Sequence, residues 1–223
     1  MSASGLTFLQ VVNRVLGRLR EGSVAANAET AYSTFIGTLV NEVKSEIEDA
    51  YYWNSLRDTF SVTAVAGTTN YVLTNARAHS AILDGWNTTN PGPLTRGTNA
   101  GFNDKFFGTT TVATGSVQQY LPAGVDANHD LRVDIWPNPS STNILKFNVF
   151  VPQAELSADA TVALVPQSLL IEEVIARARV ERGDEDAPRP QPGETFICKD
   201  LLQSAISREA AHDGNELLDW QVE

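Results

Sequence analysis

The sequence is poor in the residues that most often carry chemistry. It has one cysteine, one methionine and three histidines among 223 residues. A single thiol, Cys198, excludes an internal disulfide framework and fits a reducing compartment. No apolar run approaches the roughly 20 residues that a membrane-spanning helix needs. The opening residues, MSASGLTFLQ, lack the basic start and apolar core of a secretion signal. Positive charge is also scarce: 16 Lys and Arg stand against 27 Asp and Glu, a formal net charge of −11. Binding to a nucleic-acid backbone draws on Lys and Arg to neutralise phosphates, so this balance argues against a DNA grip and for non-adhesion. The P-loop, GxGxxG, HExxH, GxSxG and CxxC patterns are all missing, which removes the common nucleotide, zinc and nucleophile signatures. The expectation is a protein that is not an enzyme and uses no cofactor or metal.

Hydrophobic residues make up 42% of the chain, enough for a globular protein with a real core. The acidity is uneven. Residues 1–57 and 58–152 each carry 5 basic and 6 acidic side chains, whereas 153–223 carry 6 and 15.

The hydrophobic period changes twice along the chain. Thr7 and Gln10 have capping-box spacing, followed by Leu9, Val12, Val15, Leu16 and Leu19 at helical steps. A second helix is expected from about Glu29 to Trp53. Its stripe is Tyr32, Phe35, Ile36, Leu39, Val43, Ile47 and Ala50, with Glu42, Lys44, Glu46, Glu48 and Asp49 mostly on the other side. Alternation then replaces the helical period in DTFSVTAV, LRVDIWP and NILKFNVFVP, with NYVLT and SAILDGW as further strands. Inward positions are Phe60, Val62, Ala64, Leu131, Val133, Ile135, Leu145, Phe147, Val149 and Val151. The Gly-, Thr- and Asn-rich stretch near 88–116 reads as a long loop, functional or mobile. Helical spacing returns after Pro166, with Leu170, Ile171, Val174, Ile175 and Ala178 on one face, Glu173 and Arg177 as an i, i+4 pair, and Gly183 as a stop. A last helix is expected from about Glu194 to Asp213, with Cys198, Leu201, Leu202 and Ala205 on its apolar face and Gly214 as its cap.

These elements predict an α+β fold: a four-helix bundle made of both chain ends with an inserted antiparallel β-sandwich or small barrel. The division is 1–57 with 153–213 for the helices, 58–152 for the β module and 214–223 for a C-terminal docking tail.

Several short patterns read as structural. Asp126, Asn128 and Asp130 begin like a calcium loop, but Leu131 and Pro137 stand where the loop needs Gly and Glu, so a polar turn is expected. Arg182-Gly183-Asp184 straddles a helix end, and Asn87 opens a glycosylation pattern that lacks a secretion signal. His212 suits the dipole of a last helical turn, and Tyr51, Tyr52 and Trp53 are expected to seal the exit from the second helix. The tail GNELLDWQVE differs. Leu217, Leu218 and Trp220, with Asp219 among them, are anchors that a further partner would cover, either the chain's own bundle or another chain.

The order of these stretches resembles the head–tail adaptor proteins of tailed bacteriophages, called tail tubular protein A in short-tailed phages. The likeness runs through FLQVVNRVLGRLRE, EIEDAYYWNSLRDTFSVTAVAGTTNYVL, LRVDIWPNPS and FNVFVPQAELSADATVALVPQSLLIEEVIARARVERG. It does not extend over 88–116 or the tail. The resemblance implies a virion protein, made in the host cytoplasm, that forms a homo-oligomeric, typically dodecameric, ring under the portal protein. The ring extends the channel for passing DNA and carries the next tail or nozzle component. Leu217, Leu218, Asp219 and Trp220 would then meet the portal or a neighbouring subunit. Arg96, Phe102, Phe106 and Phe107 would meet the next component or a neighbour. Rival readings are another neck protein such as a tail terminator, or a carbohydrate- or receptor-binding module using Trp86, Phe102, Phe106 and Phe107 as exposed stacking groups.

Overall fold

The structure, a computed structural model, describes residues 5–108, 110–184, 187 and 196–217. They form a mixed α+β fold of five helices and three open sheets. The chain divides into two compact units. The two chain ends, up to Ser55 and from Gln153, build one unit; Leu56–Pro152 build the other.

The helices are α1 (Phe8–Arg18), α2 (Ala31–Ala50), α3 (Asn99–Phe107), α4 (Gln167–Glu181) and α5 (Lys199–Leu217). In the unit of the chain ends, α1 packs on α2 and α4, α2 on α4, and α4 on α5. The first helix starts where the sequence predicts. Thr7 Oγ1 accepts the Gln10 N–H at 3.3 Å, and Gln10 Oε1 accepts the Thr7 N–H at 3.1 Å. Its buried face is Phe8, Val11, Val12, Val15 and Leu16, with Leu9 turned partly outward. Thr30 and Ser33 make a second capping box that starts α2 at Ala31, two residues later than expected. Trp53 lies beyond the helix. Its indole N–H donates to the Ile47 carbonyl at 2.7 Å, satisfying a carbonyl that the helix end leaves open.

Two expectations for this unit are corrected. Lys44 and Glu48, predicted on the polar side of α2, are buried at 2% and 3% exposure. They can be buried because each is satisfied: Lys44 Nζ donates to both Glu48 oxygens at 3.1 and 3.0 Å and to the Gln153 carbonyl at 2.7 Å. The Gln153 N–H in turn donates to Glu48 Oε1 at 3.1 Å. The last helix also differs. It begins at Lys199 and runs through Gly214 to Leu217. Glycine inside a helix costs only about 1 kcal/mol relative to alanine, too little by itself to stop a helix. Gly183 does stop α4. At φ 75° its N–H donates to the Val180 carbonyl and the Asp184 N–H to that of Arg179, a Schellman closure.

The second unit holds β1 (Arg57–Ala64), β2 (Asn70–Arg77), β3 (Ala81–Asn87), β4 (Gly92–Pro93), β5 (Thr95–Arg96), β6 (Thr114–Gly115), β7 (Gln119–Val125), β8 (Asp130–Trp136), β9 (Asn138–Pro139) and β10 (Asn143–Phe150). One sheet has the order β1-β10-β3-β4, a second β2-β8-β7-β5, and β6 pairs with β9. The long strands pair antiparallel, as predicted from their alternation. The short pairs β5–β7 and β6–β9 are parallel, which departs from an all-antiparallel module. The sheets are open, so the described strands close no barrel.

Inward residues of both four-stranded sheets share one apolar core. Val62, Leu145, Phe147 and Val149 come from the first, and Leu73, Tyr120, Leu131, Val133 and Ile135 from the second. The stretch near 88–116 is more ordered than its composition suggested. It contains β4, β5, α3 and β6 and buries Leu94 and Phe102.

Candidate functional site

The most built surface of the β unit surrounds α3. Thr98 starts this helix, its hydroxyl accepting the Gly101 N–H at 3.2 Å. Phe102 then drops into the unit and is 3% exposed. Its ring fills the space over Gly97: a Cβ there would stand 2.3 Å from Phe102 Cε2, so only glycine lets the helix sit this close. Lys105 lies over the Trp136 ring, 4.3 Å from its centre, and also bonds Gln119. With α3 anchored this way, Phe106 and Phe107 line a groove of about 760 Å³ against Leu121, Pro122, Ala123 and Gly124. Asn99, Asn103, Thr69 and Asp134 supply its polar rim. Phe107 is 84% exposed. The groove suits apolar side chains of a partner, with amides to orient them.

The residues singled out in the sequence are only partly brought together. Phe106 and Phe107 share the groove, and Phe102 is the buried seat beneath it. Arg96 is exposed on β5, opposite Tyr120 in register, and does not line the groove. The burial that seats Tyr120 in the core raises its phenol above the ordinary value, with nearby Arg96 opposing. Trp86, 45% exposed, belongs to β3 in the other sheet. The four aromatics therefore form no single stacking platform.

The polar motifs resolve into structure. Asp126 Oδ1 accepts the N–H groups of Asn128 and Asp130 at 2.8 and 2.9 Å, closing the β7–β8 turn. Asn87 is 1% exposed and donates to the Val117 carbonyl and to Asn143 Oδ1, both at 3.1 Å. Its amide is out of reach of a modifying enzyme. Among the described residues no three of His, Cys, Asp and Glu gather in a metal-holding group.

The second candidate surface is α5. None of its residues from Lys199 to Ala211 is fully buried, and Leu201 is 38% exposed. Carboxylates hold it in place. Glu173, fully buried on α4, accepts the Ile197 N–H at 3.1 Å and the Cys198 N–H at 2.8 Å. These groups sit at the N-terminus of α5, where negative charge is favoured. Arg177 balances Glu173 at 3.0 Å and forks onto Glu46 at 2.8 and 2.5 Å. The Glu46 bonds, helped by Glu173, raise the guanidinium above its ordinary value. Farther along, Glu209 Oε1 accepts the Asn54 N–H at 2.8 Å.

Cys198 precedes α5 instead of lying on its apolar face. Burial, reinforced by Glu173, pushes its thiol up to about 11, which keeps it a protonated and poor nucleophile. Leu217 is the last residue of α5; Leu218, Asp219 and Trp220 lie outside the described residues.

Glu173 was visible in the sequence only as half of an i, i+4 pair. Its position among Leu169, Leu170, Val174 and Ala176, all buried, is the signal that it turns inward. No described helix is long and apolar enough to cross a membrane. Comparison with known protein families finds no match, and comparison with characterised proteins finds none either.

Proposed function

We propose that this chain is a head–tail adaptor of a tailed bacteriophage: a virion protein that forms a ring under the portal and carries the next tail component. In this reading the chain ends form a four-helix bundle and the inserted β-sandwich presents a second surface. The observation that carries it is α5, a 19-residue helix with no fully buried residue in its described part, tied on by carboxylates. A helix this long with its apolar positions half exposed is suited to being covered by another chain. The groove beside Phe106 and Phe107 is a separate surface on the other unit. An adaptor needs two such surfaces, one for each neighbour.

The reading assigns Leu217, Leu218, Asp219 and Trp220 to a contact with the portal or the adjacent subunit. It assigns Phe106 and Phe107, with Arg96 nearby in sequence, to the next component or a neighbour. Phe102 acts by seating α3. The net charge of −11 suits a channel wall along which DNA slides without sticking. No catalytic role, cofactor or membrane contact belongs to this function.

Mass photometry of the 24.2 kDa chain, alone and mixed with the portal ring it is made with, tests the proposal. A portal-dependent gain of about a dozen subunits supports it, following the closure logic of cyclic assemblies. No association in either sample overturns it. A glycan array then tests the remaining rival, a carbohydrate-binding module, which the exposed Trp86 and Phe107 favour.

A further inference from the structure

The β unit has two outer faces, and each sets a charge beside an apolar side chain. The two four-stranded sheets share one core, where the Tyr120 and Phe147 rings meet at 5.5 Å, so their outer faces point away from each other. On the first sheet, Leu145 and Phe147 of β10 point inward, which turns Ile144 and Lys146 outward. Trp86 of β3 stands opposite Lys146 in register and shares its face. Trp86 is 45% exposed and Ile144 44%. Lys146 is exposed and makes no ion pair among the described residues. Asp84, on the same face, accepts a bond from the Asn148 amide at 2.8 Å. The outer face of the second sheet is the floor of the α3 groove. Leu121 of β7 stands opposite Asp134 of β8, and both line the groove with Phe106 and Phe107. Asp134 is the one charged side chain among the described residues that line it. Asn70 donates to Asp134 Oδ1 and in turn accepts from Arg132 at 2.7 Å, an arginine outside the groove lining. The other Asp134 oxygen accepts no bond from a described residue.

We propose that the Trp86, Ile144 and Lys146 face of one copy docks into the α3 groove of a second copy, with Lys146 on Asp134 and Trp86 against Leu121 and Phe107. Cross-strand neighbours stand about 5 Å apart, so Lys146 beside Trp86 and Asp134 beside Leu121 offer matched spacings with opposite charge. The chain's own face cannot enter its own groove, because the shared core lies between them. The acidic C-terminal residues do not suit a groove whose one lining charge is a carboxylate. A contact that joins two different patches is heterologous and passes from copy to copy around a ring. The inference rests on the adaptor reading and deepens it, since the ring of that reading needs a contact of this kind.

Sedimentation velocity of the full chain, alone and with the portal ring it is made with, tests this. Lys146→Asp should weaken association about tenfold, since an attractive pair becomes repulsive. Asp134→Lys should do the same. An equimolar mixture of the two variants should recover wild-type association, because in an alternating ring every face meets a groove of opposite charge. Lys146 makes no ion pair, so its variant should melt as wild type does. Asp134→Lys also removes the Asn70 bond, so Phe107→Ser, at a ring 84% exposed, is the second groove variant. It too should weaken association without lowering the melt. Association unchanged by Lys146→Asp, or no recovery in the mixture, overturns the proposal and leaves the groove to a different partner. Portal-dependent growth that ignores all three variants removes this contact and leaves the adaptor reading standing. Charge-dependent association without portal-dependent growth does the reverse. No association in either sample overturns both.

Discussion

The two units solve the same problem, burying polar groups, with different chemistry. In the helical unit the buried polar side chains include three ions, Lys44, Glu48 and Glu173. In the β unit they are neutral amides, Asn87 and Asn143, which bond each other and nearby backbone. Asn87 also accepts the Thr89 and Asn90 N–H groups, both at 3.1 Å. A buried ion depends on its partner and on pH, whereas a satisfied amide depends on neither charge nor proton. The helical unit should therefore be the half whose stability responds to acid.

Removing one ion should produce the largest effect. Lys44→Met strands the Glu48 carboxylate and should destabilise the helical unit by about 3–5 kcal/mol near neutral pH. Urea unfolding measures this, and the loss should shrink in acid as Glu48 takes up a proton. In the wild type, burial already raises Glu48 above its ordinary 4.5, with Lys44 opposing. The folded state thus holds this proton more tightly than the unfolded chain. Glu48's contribution to stability is fully present below 4.5 and is lost as pH rises through the raised value. Subtracting the Glu48→Gln curve from the wild-type curve isolates that slope.

A more local loss should follow from Glu173→Gln. It weakens the bonds to Arg177, Ile197 and Cys198, at about 2–3 kcal/mol. Hydrogen exchange should show α5 losing protection while α1 and α2 keep theirs; uniform loss across the unit would mean that Glu173 supports the whole bundle.

The β unit offers the contrast. Asn87→Leu breaks the amide network and should cost about 1–3 kcal/mol, by the same amount at pH 5 and pH 8. A strong pH dependence would erase the distinction between the units. Smallest is Gly97→Ala, which pushes on the Phe102 ring and should cost about 1–2 kcal/mol. Its readout is the groove: Phe107 should change its accessibility to a fluorescence quencher on substitution of a nearby reporter, while the core sheets keep their circular dichroism.

Some of this was legible residue by residue. Thr7–Gln10, the inward strand positions Leu131, Val133 and Ile135, and the stop at Gly183 follow from local rules, because capping, alternation and left-handed closure each involve only a few neighbouring residues. Helix α3 was not legible. Its Asn- and Gly-rich sequence has weak helical propensity, and Phe102 holds it only because Gly97 leaves room beneath the ring. The candidate site was half legible for the same reason: the aromatic residues stood out, but which of them seats the helix and which faces solvent depends on contacts from β7 and β8.

The sequence by itself determined the acidic balance, the helix–strand–helix order, the caps and the alternation of the long strands, all of which rest on composition or on neighbours within a few positions. Tertiary structure alone decided that Lys44, Glu48 and Glu173 turn inward and that a carboxylate on α4 begins α5. The physical reason is that burying a charge is tolerable only when its partner is supplied at the right place. For Glu173 those partners include backbone groups 24 and 25 residues away, and for Lys44 a carbonyl 109 residues away.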